Sequence, residues 1–127
     1  QIIPKGGVTI IDDAYNSNPA GCRAAIDTLN MMDGFKILVT PGMVELGGRE
    51  NDLNREFGAY AAGRVDKLVL VGAKQTAAIY AGAKEAGMNE RDIKVFDVFT
   101  EAMKYVYSLH PDKKEIVLLE NDLPDNY

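Results

Sequence analysis

The 127 residues fit a single domain, and a hydrophobic share of 46% is enough to bury a core. A net charge of −5, from 14 Lys+Arg against 19 Asp+Glu, argues against a nucleic-acid surface. Apolar runs of four or five residues fall far short of a membrane span, and the one cysteine, Cys22, excludes an internal disulfide or a cysteine-cluster metal site.

The chain opens at Gln1-Ile2-Ile3-Pro4 with no methionine and almost no lead into its first strand, and is expected to be a piece of a longer protein. No basic segment followed by an apolar run opens it, so nothing suggests a signal peptide, and with one cysteine a reducing cytoplasm is the expected compartment. Val8-Thr9-Ile10-Ile11 is the first apolar run. A helix follows, with Asn18 capping its free N–H groups, Pro19 at its first position, and Cys22, Ala25, Ile26 and Leu29 on one face. Gly34 supplies its stop, and the pair Met31-Met32 is expected at the edge of the core. Lys36-Ile37-Leu38-Val39 is the second run, and Leu53, Phe57, Tyr60 and Ala61 stripe a second helix. Leu68-Val69-Leu70-Val71 is the third run, followed by an alanine-rich helix over 73–86 that ends at Gly87. Ile93-Lys94-Val95-Phe96 is the fourth. The last helix starts near Thr100, carries Ala102, Met103, Val106 and Leu109, and stops before Pro111; Ile116-Val117-Leu118-Leu119 is the fifth run.

Strands that alternate with helices pair in parallel through right-handed crossovers. Continuous apolar runs mark strands covered on both faces. The expected fold is therefore α/β: a Rossmann-like, open, doubly wound and mostly parallel sheet of five or six strands with flanking helices, spanning 1–127 as one domain. Such sheets bind ligands beyond the carboxyl ends of their strands, which here are the loops at 12–18, 40–48, 72–75, 97–99 and 120–127.

The first of these loops, Asp12-Asp13-Ala14-Tyr15-Asn16-Ser17-Asn18-Pro19, is the richest in chemistry. Carboxylate oxygens accept paired hydrogen bonds from a ribose diol, and a helix start offers N–H donors to anions. Each residue also has a local reading, Asp13 and Asn16 as turn formers and Asn18 as a cap. The run Gly7-Val8-Thr9-Ile10-Ile11-Asp12-Asp13-Ala14-Tyr15-Asn16-Ser17-Asn18-Pro19 resembles the opening of the C-terminal domain of Mur ligases. Thr40-Pro41-Gly42-Met43-Val44-Glu45-Leu46-Gly47 is similar to a second segment of that family, at the same place after the second strand.

The resemblance implies an ATP-dependent ligase of peptidoglycan precursor synthesis. In it a UDP-N-acetylmuramoyl-tripeptide carboxylate is activated as an acyl phosphate and attacked by an amine, expected to be D-alanyl-D-alanine. Such enzymes have three domains, and this chain would be the one that closes over the others. ATP and magnesium would be bound mainly by the central ATPase domain on which it packs. Asp13 matches the aspartate that grips the ATP ribose, and Tyr15, Asn16 and Asn18 match positions on the nucleotide side of the cleft. Met43, Glu45 and Leu46 would face the incoming dipeptide, and Asn121 falls at the exit of the last strand on the substrate side. No catalytic residue and no metal ligand is assigned to this chain. Alone it is expected to lack ATPase activity and to bind nucleotide weakly, at roughly millimolar concentration.

The family arginine that partners the ribose aspartate precedes the first strand, yet no arginine lies before Arg23. Glu120-Asn121-Asp122 stands where the D-alanyl-D-alanine enzymes carry Lys-Gly-Ser, and Glu120 is expected to repel an anionic dipeptide. Thr40-Pro41-Gly42 also departs, with proline in place of glycine and glycine in place of aspartate. An alternative is a superfamily relative with another amine substrate. A second is a stand-alone nucleotide-binding or receiver-like module; receivers, however, need an aspartate ending the third strand and a lysine after the fifth, where this chain has Val71-Gly72 and Glu120-Asn121. No Gly-x-x-x-x-Gly-Lys-[Ser/Thr] cradle is present. Gly72-Ala73-Lys74 reads as an ordinary strand-to-helix turn, His110 as a surface residue at a helix end, Lys113-Lys114 as a solvated loop, and Cys22 as a core thiol.

Overall fold

The computed structural model describes residues 2–5, 7–14, 16 and 18–123. In chain order these form β1 (Ile2–Lys5), β2 (Val8–Asp13), α1 (Pro19–Met31), β3 (Phe35–Thr40), α2 (Glu50–Ala61), β4 (Lys67–Val71), α3 (Ala77–Glu85), β5 (Ile93–Phe96), α4 (Phe99–Ser108) and β6 (Glu115–Glu120). They build one six-stranded sheet in the order β1-β2-β6-β3-β4-β5. β2, β6, β3, β4 and β5 run parallel, and β1 lies antiparallel to β2 at the edge. The expected open α/β sheet is observed.

Successive side chains of a strand point to opposite faces, and that alternation sorts the core into two layers. Ile116 and Leu118 of β6 join Cys22, Ile26 and Leu29 of α1, Phe57 of α2 and Ile79 of α3. Val117 and Leu119 point the other way and join Ala102, Met103 and Val106 of α4. Three helices thus cover one face and α4 the other. Each such aliphatic side chain taken fully from water contributes about 1.5–3 kcal/mol, and Ile10, Ile26, Leu29, Leu38, Leu68, Leu118 and Leu119 are all fully buried.

Local chemistry sets the boundaries. Asn18 is extended (φ −89°, ψ 127°), and its side-chain oxygen accepts from the amides of Ala20 and Gly21 at 2.8 and 3.3 Å. Pro19 supplies no N–H to satisfy there. α2 and α3 approach until backbone meets backbone: a Cβ on Gly58 would stand 2.1 Å from the Ile79 carbonyl oxygen, and one on Gly82 would stand 2.0 Å from that of Arg55.

The structure adds two features to the expectation and departs from it in two others. β1 was not foreseen, because it is short and contains Pro4, which a strand tolerates at a sheet edge. β6 inserts between β2 and β3, so strands consecutive in the chain are not neighbours there. Residues 73–76 form a turn, and α3 begins only at Ala77. Met31 is 83% exposed, while its neighbour Met32 packs on the core.

Candidate functional site

β2 and β6 end side by side, with Asp13 in register with Glu120. Alternation puts Asp13 on the same face as Ile11, which packs against the α1 layer. Beside it opens a hollow of about 400 Å³ lined by Ile11, Asp12, Asp13, Asn16, Gly21, Ala24, Ala25 and Thr28. Asp13 is half-buried, and its Oδ2 accepts from Asn16 Nδ2 at 3.1 Å. Asn16 Oδ1 in turn accepts from the Asn18 amide at 3.0 Å. Gly21 makes room for this arrangement, since a Cβ there would meet the Asn16 side chain at 2.3 Å. Asp12 Oδ1 accepts from the Ala14 amide at 3.1 Å.

Of the expected nucleotide-side residues, Asp13 and Asn16 stand together at the hollow. Asn18 is exposed and caps α1, and Tyr15 lies outside the described residues, as does the end of the last loop at 124–127. The helix start is not an open anion site as expected, because Asn18 already occupies the amides of Ala20 and Gly21.

The loop after β3 is held from beneath. Asn54, 3% exposed on α2, accepts from the Met43 amide at 2.9 Å and donates to the Met43 and Glu50 carbonyls at 2.8 and 2.9 Å. Met43 is core, 2% exposed, and both its backbone N–H and its carbonyl are taken by Asn54. Leu46 is half-buried against the same core. Between them Glu45 is exposed and held at φ +61°, a left-handed conformation that non-glycine residues seldom adopt. Glu45 is therefore the carboxylate that this rigid loop presents outward.

Asn121 joins the two loops. It is 2% exposed and left-handed at φ +64°. Its Oδ1 accepts from Thr40 Oγ1 at 2.7 Å, and its Nδ2 donates to the Asn16 carbonyl at 2.7 Å and reaches Cys22 Sγ at 3.4 Å. Its side chain is thus committed to scaffolding between the exits of β2, β3 and β6. Thr40 Oγ1 continues the chain by accepting from the Gly42 amide at 3.0 Å.

Glu120 corrects the expectation of a repelling surface charge. It is fully buried, and its Oε2 accepts from Cys22 Sγ at 3.5 Å. Burial first, then the hydrogen bond and charge of Asp13, push its pKa up to about 10, a direction that favours the uncharged acid. Burial and the neighbouring Glu120 likewise push the Cys22 thiol up to about 12, so Cys22 is the inert core thiol expected. The sequence alone offered no signal that Glu120 faces inward, because a strand's last residue can point to either face of a sheet whose neighbours are unknown. Asn54 escapes a sequence reading for a different reason: an asparagine on a helix looks like surface.

The chain matches the family described as "Mur ligase, glutamate ligase domain" over residues 1–120. It is 38% identical over 69 residues to the UDP-N-acetylmuramoyl-tripeptide--D-alanyl-D-alanine ligase of Bacillus subtilis (strain 168), a match covering 52% of this chain and 15% of that protein. A crystal structure of MurF from Acinetobacter baumannii superposes with a TM-score of 0.77 at 28% identity, covering 95% of this chain and 26% of that one. MurF ligase from Thermotoga maritima in complex with ADP gives a TM-score of 0.78 over 94% of this chain and 26% of its own; at 24% identity that likeness concerns the fold alone. The chain thus spans about a quarter of the length of the solved structures it resembles.

Proposed function

The chain belongs to the Mur ligase family, as its glutamate ligase domain, and from that premise we propose that it is the closing domain of a three-domain, ATP-dependent amide ligase of peptidoglycan precursor synthesis. In this reading the enzyme joins D-alanyl-D-alanine to UDP-N-acetylmuramoyl-tripeptide by way of an acyl phosphate. The domain packs on a central ATPase domain, and the enzyme works in the cytoplasm. No helix among the described residues is long and apolar enough to cross a membrane.

One observation carries the reading: the carboxylate of Asp13, at the carboxyl end of β2, borders an open hollow with an apolar wall of Ile11, Ala24 and Ala25. A nucleoside needs that combination, a carboxylate for the sugar diol and an apolar surface for the base. Asn16 fixes Asp13, and Asn18 fixes Asn16. Tyr15 is proposed on the same side from its place in the motif. ATP supplies the phosphoryl group that activates the acceptor carboxylate, and this chain's residues orient the nucleotide and exclude water around it. Such orientation can lower a barrier by several kcal/mol without proton transfer.

The described residues offer magnesium no ligand set. Among the described residues no three His, Cys, Asp or Glu side chains converge as a metal set, and both Asp12 and Asp13 already accept hydrogen bonds. The ion is assigned to the central domain.

On the substrate side, Glu45 is proposed to meet the amine of the incoming dipeptide. Met43 and Leu46 anchor the loop that presents it, and Asn121 locks that loop to the nucleotide edge. Glu120, being buried and neutral, adds no negative charge against a dipeptide carboxylate.

The test is a titration of the purified chain with ADP followed by amide chemical shifts. Weak saturable shifts centred on 11–18 and 21–28 are expected, absent in Asp13→Ala. In an enzyme carrying this domain, Asp13→Ala should raise KM for ATP by about tenfold or more, as loss of a charge-assisted hydrogen bond does. Robust ATP hydrolysis by the chain alone would contradict the assignment.

A further inference from the structure

Glu120 is fully buried beside a second carboxylate, and one of its oxygens, Oε1, has no donor directed at it. Its other oxygen, Oε2, receives the Cys22 thiol at 3.5 Å. From β2 the group facing it is Asp13, from α1 the Cys22 thiol, and from its own strand exit the Asn121 backbone. Among the described residues no cation is hydrogen-bonded or ion-paired to it. An orphan oxygen in such a place is costly as an acceptor, and two adjacent carboxylates, one of them fully buried, cannot both ionise cheaply. A proton on Oε1 removes both costs at once: the orphan becomes a donor, and the acceptor within its register is Asp13.

We propose that Glu120 is a positioning residue whose protonated carboxyl donates to Asp13 and, with Asn16 Nδ2, fixes the Asp13 carboxylate to receive the nucleotide's sugar. The inference rests on the nucleotide reading of Asp13 above. It assigns a role to a side chain that never meets the ligand. Its raised pKa agrees with that role. Ionised Glu120 would instead push Asp13 away, and nucleotide affinity would fall as the proton leaves.

The test joins a direct view of the proton to nucleotide affinity. In the chain labelled with 13C at its carboxyls, the Glu120 resonance should stay that of the acid from about pH 5 to about pH 8, where an ordinary glutamate is ionised. ADP affinity should drop about tenfold in Glu120→Ala, and Glu120→Gln, a permanently neutral donor of the same shape, should recover most of it. Wild-type affinity should fall toward alkaline pH, whereas that of Glu120→Gln should not. An ionised Glu120 resonance at pH 7 overturns the proposal whatever ADP does, and that readout stands even if Glu120→Ala does not fold. Equal ADP affinity in wild type and Glu120→Ala, with shifts still centred on Asp13, also overturns it. ADP that perturbs nothing around Asp13 in the wild-type chain overturns the nucleotide reading and this role with it, and the carboxyl resonance tells the two failures apart.

Discussion

Asn121 donates through Nδ2 to the carbonyl of Asn16 across 2.7 Å, so the exit of β6 holds the exit of β2. The same side chain receives Thr40 Oγ1 at 2.7 Å, which adds the exit of β3. Two demands therefore fall on one residue, a left-handed backbone and a buried amide with both ends used. Asn121→Gly meets the first and fails the second; Asn121→Ala fails both. Urea denaturation should find Asn121→Ala less stable by about 2–4 kcal/mol and Asn121→Gly less affected by roughly 1 kcal/mol. Equal losses in the two variants would mean that the backbone conformation costs nothing.

Asn54 makes a comparable claim for the loop that presents Glu45. Truncation to alanine strips partners from a buried amide and carbonyl of Met43. A loss of about 2–3 kcal/mol is expected, together with faster hydrogen exchange confined to 41–46. Asn54→Asp keeps the acceptor for the Met43 amide but loses both donors, so it should fall short of wild type even where it folds. Unchanged exchange in the loop would show that something other than Asn54 holds it.

Glu120 also makes stability depend on pH, with a definite sign. Its pKa rises from 4.5 to about 10 on folding, so the folded chain keeps a proton that the unfolded chain has released across that interval. The stabilisation is complete below about pH 4.5 and is lost as pH rises toward 10, at up to roughly 1 kcal/mol per pH unit. Burial of Glu115 acts in the same direction. Glu120→Gln should flatten most of this slope between about pH 5 and pH 9 and gain stability at its alkaline end. A thermal melt series that keeps its full slope in Glu120→Gln would place the proton elsewhere.

The contact between α2 and α3 gives the sharpest steric prediction. An alanine at Gly58 or Gly82 drives a methyl into a carbonyl of the facing helix, at 2.1 or 2.0 Å. No side-chain rotation relieves a clash with backbone, so the helices must separate. Either substitution should cost about 2–4 kcal/mol, although alanine is the better helix former. A gain in melting temperature would show that the helices have slack.

How much of this was readable beforehand divides along physical lines. The five parallel strands and the cap at Asn18 were legible because they rest on local pattern: a continuous apolar run, or an amide followed by proline. The hollow's acidic border was legible as a motif, and Asp13 and Asn16 do meet there. Strand order was not legible, since nothing local says that β6 enters between β2 and β3. The misreading of Glu120 follows from that gap. Its burial depends on Asp13 and Cys22 arriving from residues about 100 positions earlier, as the separation of its contact with Cys22 records. Met43 and Asn121 read in sequence as residues on the substrate side, whereas both side chains face inward: that of Met43 fills the core, and that of Asn121 holds the Asn16 carbonyl.

The place of β6 bears on how the domain comes into being. A ribosome releases β2 and β3 long before the strand that joins them, so the nascent chain can dock helices on half a sheet but cannot weld its halves. The acidic edge at Asp13 then matures only after translation passes Asn121. Long-range pairing of this kind slows folding, and a chain stalled before β6 would offer two naked strand edges to whatever binds them first.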